Sequence, residues 1–294
     1  MEMKIGLVLP TMIRNPQATL IPEWARVADE AQFSSVAVFD RIAYDCYEPL
    51  VTLAAAAAVT KRVRLMTALI ISPLRSNASL LAKQAATIDH FSNGRLTLGL
   101  GAGVRQDDFL AGGISYSTRG TAMDNQIATM RGIWEGGDSE DSIDIGPRPV
   151  QSGGPEIILG GHTRRAINRA ARYADGWIAG SGGLDVFLNG SQLLEDAWRA
   201  AGRNKPPRRL AVSYFALGPD AKTIARSYLA DYLNFAPSDY SERVIDSTPT
   251  DGNSLRDAVH AYASSGCDEL LLAPCLADTE QLKLLIQNLD GVLR

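Results

Sequence analysis

Glu156-Ile157-Ile158-Leu159-Gly160-Gly161-His162-Thr163 runs from an apolar stretch into a glycine pair and a helix-start threonine, and Gly176-Trp177-Ile178-Ala179-Gly180 repeats the apolar pattern after a helical stretch at 163–173. A strand that is apolar at nearly every position is covered on both faces, as in a parallel sheet flanked by helices. The two runs therefore read as one strand, helix, strand unit. Outward from it, runs of the same kind recur at 4–9, 35–39, 63–71, 95–100, 210–217 and 269–273, which makes eight in all. Helical patterns separate them at 22–31, 50–59, 79–91, 121–135, 184–201, 221–235, 253–265 and 279–293, with Pro22 suited to a first turn and Asn93-Gly94 to a left-handed stop. Eight strands alternating with helices predict a (β/α)8 TIM barrel, whose typical size is about 250 residues, in one domain over 1–294. One insertion interrupts the rhythm after the fourth βα unit. Residues 136–155 are acidic and rich in Gly and Pro, and read either as a lid at the barrel mouth or as a solvated surface loop.

Composition narrows the function. Lys and Arg number 29 against 33 Asp and Glu, a formal net charge of −4, so there is no basic surplus to neutralise a nucleic-acid backbone. Cys46, Cys267 and Cys275 are odd in number and widely spaced, which argues against a disulfide framework and for a reducing compartment. The opening residues carry no signal-peptide pattern, and the most apolar run, 50–59, is too short to span a bilayer. A cytoplasmic protein that acts on a small molecule and binds neither membrane nor nucleic acid is expected.

In a barrel the chemistry belongs just after the strand ends. The second strand ends in Phe39-Asp40-Arg41: Asp40 could bond a ligand and Arg41 hold an anion, or the two could close the rim as an ion pair. After the third strand, Leu69 and Ile70 read as an apolar wall for a ring system or as ordinary core. The fourth runs into Gly99-Leu100-Gly101-Ala102-Gly103, where missing Cβ atoms would admit a flat ligand, and then Asp107 and Asp108, ligand partners or helix-start carboxylates. Gly160-Gly161-His162-Thr163 is the best anion site, because paired glycines before a helix leave N–H groups free to converge on a phosphate. A bulky side chain at Gly161 is then expected to crowd that phosphate while sparing the core. The three histidines, His90, His162 and His260, lack metal-ligand spacing, and neither a Gly-x-Ser-x-Gly elbow nor a P-loop is present. An organic cofactor is the economical source of reactivity.

Further stretches carry a specific likeness. Leu81-Ala82-Lys83-Gln84-Ala85-Ala86-Thr87-Ile88-Asp89, Ser92-Asn93-Gly94-Arg95-Leu96-Thr97-Leu98-Gly99, Arg119-Gly120, Gly146-Pro147-Arg148-Pro149-Val150-Gln151 and Arg169-Ala170-Ala171-Arg172-Tyr173-Ala174-Asp175-Gly176-Trp177, with Gly160-Gly161, resemble the luciferase-like family of flavin- and deazaflavin-dependent oxidoreductases. The resemblance covers roughly residues 4–180. It implies a barrel that holds coenzyme F420, or alternatively FMN, at its C-terminal mouth. The ring would lie near the third and fourth strand ends and the phosphate near the Gly-Gly turn. It also implies a non-proline cis peptide at Leu69-Ile70, and a homodimer, for which the 54–59 helix face is a candidate surface. Two departures matter. Many deazaflavin members have Asp-His where this chain has Asp40-Arg41, and some have Glu where it has Val104. Arginine cannot act as a general acid at neutral pH. Arg41 is then assigned to an anionic substrate group or to charge developing on the ring, and Asp107 to the ring edge.

Two redox routes follow: hydride exchange with F420, and oxygenation with reduced FMN in the manner of bacterial luciferase. Outside redox chemistry stand a phosphate-binding barrel enzyme and a cofactor-binding protein without turnover. The first would need a strand-end lysine or paired carboxylate, and the six lysines fall at strand starts, helices and loops.

Overall fold

The structure, a computed structural model, describes residues 2–15, 17–136 and 144–293. Its sheet contains β1 (Lys4–Val8), β2 (Ser35–Val38), β3 (Arg64–Thr67), β4 (Ile70–Ile71), β5 (Leu96–Gly101), β6 (Glu156–Gly160), β7 (Gly176–Ala179), β8 (Arg208–Phe215) and β9 (Glu269–Pro274). Every pairing is parallel. The order β3-β2-β1-β9-β8-β7-β6-β5-β4 closes through a further pairing of β3 with β5. This is the expected (β/α)8 barrel, with β3 and β4 sharing the place of the third strand.

β2, β7 and β9 are buried at every residue because the two faces of each strand enter different cores. Val8, Ala37, Met66, Ile158, Ile178, Leu210 and Leu271 point inward and pack together in the lumen. Their neighbours Leu7, Val36, Leu65, Ile157, Trp177, Ala211 and Leu270 point outward and pack under the surrounding helices. Period-two alternation thus separates two apolar clusters, which is why the strands read as unbroken hydrophobic runs.

The third strand departs from its sequence reading. Instead of one run over 63–71, the ladder breaks at a cis peptide between Ala68 and Leu69, one bond earlier than the Leu69-Ile70 bond the resemblance implies. Thr67 Oγ1 accepts from Gly99 N and donates to Gly99 O, both at 2.7 Å, while Asp40 accepts the Ile71 N–H at 2.7 Å. Gly99 is required here: a Cβ would lie 1.9 Å from the Thr67 carbonyl oxygen.

The end of the barrel where the strands begin holds an ionic cluster. Glu269, 1% exposed, accepts from Ser35 Oγ at 2.7 Å, from Ser34 Oγ and from Arg208, which also bonds Glu156 at 2.5 Å. Residues 144–155 run along this same end: Gln151 bonds Asp89 and the Leu96 carbonyl, and the Arg148 carbonyl meets His90. The described part of the 136–155 insertion is therefore no lid at the mouth, while 137–143 lie outside the described residues. Asp29, nearby, accepts the N–H groups of Lys61, Arg62 and Val63 at 2.7–2.9 Å and fixes the turn into β3. Burial pushes its carboxyl up, but the three amide donors outweigh that and hold it below the ordinary carboxylate range. Its contribution is complete above the unfolded-state pKa and is lost as pH falls through the lowered folded-state value. Asp29→Ala is expected to cost about 1–2 kcal/mol at neutral pH, and the gap from the parent chain should narrow in denaturation curves taken at progressively lower pH.

The mouth is covered from a part of the chain that the sequence reading assigns to the outer ring. Between β8 and β9 stand three helices, Ala221–Tyr232, Ser238–Asp246 and Gly252–Ser264. Only the last packs outside the barrel, through Leu255, Val259 and Tyr262. Ala221, Ala225 and Leu229 of the first and Val244 of the second join the lumen cluster instead.

Candidate functional site at the barrel mouth

Arg41 follows β2, and its side chain is only 4% exposed. The helix Gln106–Gly112 after β5 starts with Asp107 and Asp108, and both carboxylates turn to this guanidinium. Asp108 Oδ2 accepts from Arg41 Nε at 2.6 Å, and its Oδ1 accepts the Ile42 and Ala43 N–H groups at 2.8 and 2.7 Å. Asp107, half-exposed, accepts from Nη2 at 2.9 Å. Among the described residues, Arg41 Nη1 and the Thr11 hydroxyl after β1 are buried without a hydrogen-bond partner, as are Trp24 Nε1 and Ser191 Oγ under the outer helices. A buried donor without an acceptor is uncommon, and at the mouth a ligand atom or a water would complete it.

Asp40 has other work. Its fully buried carboxylate takes both terminal nitrogens of Arg75, at 2.5 and 3.1 Å, besides the Ile71 N–H, and so fixes β4 against β2. Both oxygens are taken up by protein partners. Arg75 is a member of the site that sequence reasoning missed, since nothing in its local pattern separates it from a loop arginine.

The glycines of β5 and β6 make room for a side chain of the protein. A Cβ on Gly101 would approach Leu69 Cδ1 at 3.2 Å and one on Gly160 at 2.2 Å, so Leu69, turned inward by the strand break, lies over both. Gly103, with φ +80°, faces Ile71 and Phe109. Ile70 is fully buried in the outer core. At the β6 turn, Thr163 Oγ1 caps the helix Arg164–Tyr173 by accepting from Ala166 N at 3.2 Å, which leaves the first-turn N–H groups of Arg164 and Arg165 without helical acceptors. His162 folds toward Gly180, where a Cβ would stand 3.2 Å from its Nε2. Gly161 corrects one expectation: with φ +121° and a would-be Cβ 2.7 Å from the Ala166 Cβ, a bulky replacement strains the turn itself.

Over this floor lies an aromatic cover. Tyr228 and Tyr232 stack at 5.8 Å on the covering helix, Tyr232 meets Tyr44 edge to face at 5.7 Å, and Tyr214 from β8 contacts both Tyr228 and Tyr232. Arg105 lies over the Tyr232 and Phe235 rings at 4.9 and 3.6 Å and donates to the Tyr232 carbonyl. Arg14 and Tyr44 both bond Asp231. The segment is thus tied to residues that follow β1, β2 and β5. Burial pushes the Tyr232 phenol up to about 12 and the Cys46 thiol up to about 11, so at neutral pH the first stays a neutral donor and the second is no thiolate nucleophile. An aromatic pair spaced i, i+4 at 228 and 232 is the signal that could have flagged the cover.

The donors suit a flat ligand with polar edges and an anionic tail: an unpaired buried Arg41 N–H, an unpaired Thr11 hydroxyl, and a glycine turn before a helix. The room must be made. The cavity beside Ser181 and Tyr214 has about 0 Å³ of usable volume and the one beside Met12 and Tyr228 about 10 Å³, room for one water at most and far below the ~300 Å³ at which ligand pockets begin. At the mouth the Ala221–Tyr232 helix and its tyrosines pack over the lumen.

Comparison with known proteins supplies the rest. Residues 3–268 match the profile of the luciferase-like monooxygenases. An uncharacterised protein of Mycobacterium tuberculosis is 35% identical over 173 residues, 56% of this chain and 61% of that one, so the match spans less than two thirds of the relative's length. Among solved structures, the monooxygenase RslO1 from Streptomyces bottropensis superposes with a TM-score of 0.81 at 23% identity, covering 99% of this chain and 100% of that one. An F420-dependent secondary alcohol dehydrogenase in complex with an F420-acetone adduct superposes with a TM-score of 0.79 at 18% identity, covering 99% of each. Both structural likenesses concern the fold.

Proposed function

The chain belongs to the luciferase-like monooxygenase family, and from that premise we propose that it is an F420-dependent oxidoreductase exchanging a hydride with a small organic substrate at the barrel mouth. The observation that carries this reading is the Arg41 guanidinium, buried, held by two carboxylates and left with one free N–H. F420, when bound, supplies or takes up the hydride. The Arg41 guanidinium would stabilise charge that builds on an acceptor atom rather than act as the proton donor. Asp107 and Asp108 hold its plane, and Asp40 with Arg75 holds the neighbouring β4. The turn Gly160-Gly161-His162-Thr163, with the N–H groups of Arg164 and Arg165, receives the phosphate tail. Leu69, backed by Gly101 and Gly160, forms the wall behind the ring, and Tyr44, Tyr228 and Tyr232 exclude water.

A second reading, an FMN-dependent monooxygenase, is supported by the 26% identity over 231 residues to an FMNH2-dependent dimethylsulfone monooxygenase of Pseudomonas fluorescens. In either case the three cysteines, all free, suit a cytoplasmic setting. Ala55, Ala58 and Val59 are exposed and keep the 54–59 helix face available for a homodimer. No helix among the described residues is long and apolar enough to cross a membrane.

Titration of the purified chain with F420 and with FMN, followed by cofactor absorbance and protein fluorescence, tests the proposal. Saturable binding with at least a tenfold preference for F420 is expected. The reverse preference selects the second reading, and binding of neither overturns both.

A further inference from the structure

The helix Arg119–Glu135 packs in the outer core through Met123, Ile127, Met130 and Trp134, and its buried stripe holds one polar residue, Gln126, 5% exposed. A buried amide is costly unless it is bonded, and packing alone asks for an apolar side chain there. Both polar atoms of Gln126 are engaged, and on one short segment. Oε1 accepts from the fully buried Ser72 Oγ at 2.6 Å, and Nε2 donates to the Arg75 carbonyl. Ser72 and Arg75 bound the 3-10 turn that follows β4, closed by the Arg75 N–H on the Ser72 carbonyl at 2.9 Å.

This turn is the far anchor of the wall at the mouth. From Leu65 to Pro73 every residue is buried except Leu69, which is half-buried and lies over Gly101 and Gly160. Before Leu69 the chain is pinned by Thr67 Oγ1 on the Gly99 carbonyl, and after it by the Ile71 N–H on Asp40, both at 2.7 Å. Those two pins lie within the barrel. Gln126 adds a third from the helix layer outside it. The Asp40–Arg75 ion pair does not replace that pin, because a long arginine stem follows a shifting main chain. Gln126 instead holds the Arg75 carbonyl and the short Ser72 side chain directly.

We infer that Gln126 is a positioning residue that sets, from outside the barrel, how far the Leu69 wall stands into the mouth. The inference rests on the reading of Leu69 as the wall behind a cofactor ring. A residue that locks a supporting segment in this way acts on the ligand without touching it.

Gln126→Met keeps the length of the side chain and removes both bonds. Hydrogen exchange is followed on the full chain without cofactor, at labelling times during which β8, across the barrel, stays protected. The Ile71 and Arg75 amides are expected to exchange at least tenfold faster in the variant, with β8 still protected; a loss of global stability alone would expose both together. The variant is also expected to bind whichever of F420 and FMN the parent prefers at least tenfold more weakly. Should Gln126→Met not fold, Ser72→Ala, which removes one of the two bonds, decides with at least threefold changes in both measurements. Unchanged exchange at Ile71 and Arg75, equal exposure of β8, or parental cofactor affinity despite faster exchange overturns the inference and leaves the cofactor reading intact. If the parent binds neither cofactor, that reading falls, and the exchange result alone upholds or overturns the clamp on the wall.

Discussion

Alanine at Asp108 is expected to lower folding stability by about 3–5 kcal/mol, the range found when one partner of a buried ion pair is removed. The carboxylate is completely buried and meets three donors: Arg41 Nε at 2.6 Å and the Ile42 and Ala43 N–H groups at 2.8 and 2.7 Å. Its loss strands two backbone amides and leaves Arg41 to the half-exposed Asp107 and the Ala43 carbonyl. Asparagine at the same place keeps an acceptor oxygen and should lose roughly half as much, on the order of 2 kcal/mol, because a hydrogen bond to a charged group is worth about 1.5–3 kcal/mol. Guanidinium denaturation at constant slope measures both. A midpoint within experimental error of the parent for Asp108→Ala would show that solvent already reaches this carboxylate. The alanine variant should also weaken binding of F420, since the Arg41 plane is then free to turn.

Glu269→Ala, at the opposite end of the barrel, should be as costly, again about 3–5 kcal/mol. Glu269 is 1% exposed and gathers Arg208, Ser34 and Ser35, so that its removal leaves Arg208 with Glu156 alone and the Ser35 hydroxyl without its acceptor, while Ser34 Oγ keeps the Ile5 carbonyl at 2.8 Å. The two substitutions part company in ligand binding. Because Glu269 stands where strands begin, the fraction of Glu269→Ala that remains folded should bind F420 with parental affinity, whereas folded Asp108→Ala should not. Affinities corrected for the folded fraction, measured well below the denaturation midpoint, separate them; a tenfold loss in Glu269→Ala would mean that the two ends of the barrel are coupled.

What was legible in the chain follows from where each fact is encoded. The strands are written locally: Leu270, Leu271 and Leu272 are all buried because both faces of β9 are covered, and an apolar triplet states that directly. The break in the third strand is not local. Residues 63–71 are apolar almost throughout, and the break is fixed by Asp40, which takes the Ile71 N–H from 31 positions away. Glycines 101 and 160 are visible in the sequence, but their reason is Leu69, on a different strand. The helix Ala221–Tyr232 is readable as a helix, yet Ala221, Ala225 and Leu229 would face a lumen or an outer wall equally well. Ser238–Asp246, with only Val244 buried, leaves almost no pattern at all. The usable hint was arithmetic: two helical patterns, 221–235 and 253–265, stand between one pair of strands, where a βα unit needs one.

The segment over the mouth is held at several points together, by Arg14 and Tyr44 to Asp231 and by Arg105 to Tyr232 and Phe235. If the mouth is the reaction site, a flap fastened in this way would have to lift as a unit, and uptake would be a gated event whose speed reaches a ceiling set by how often the flap opens, however concentrated the incoming molecule.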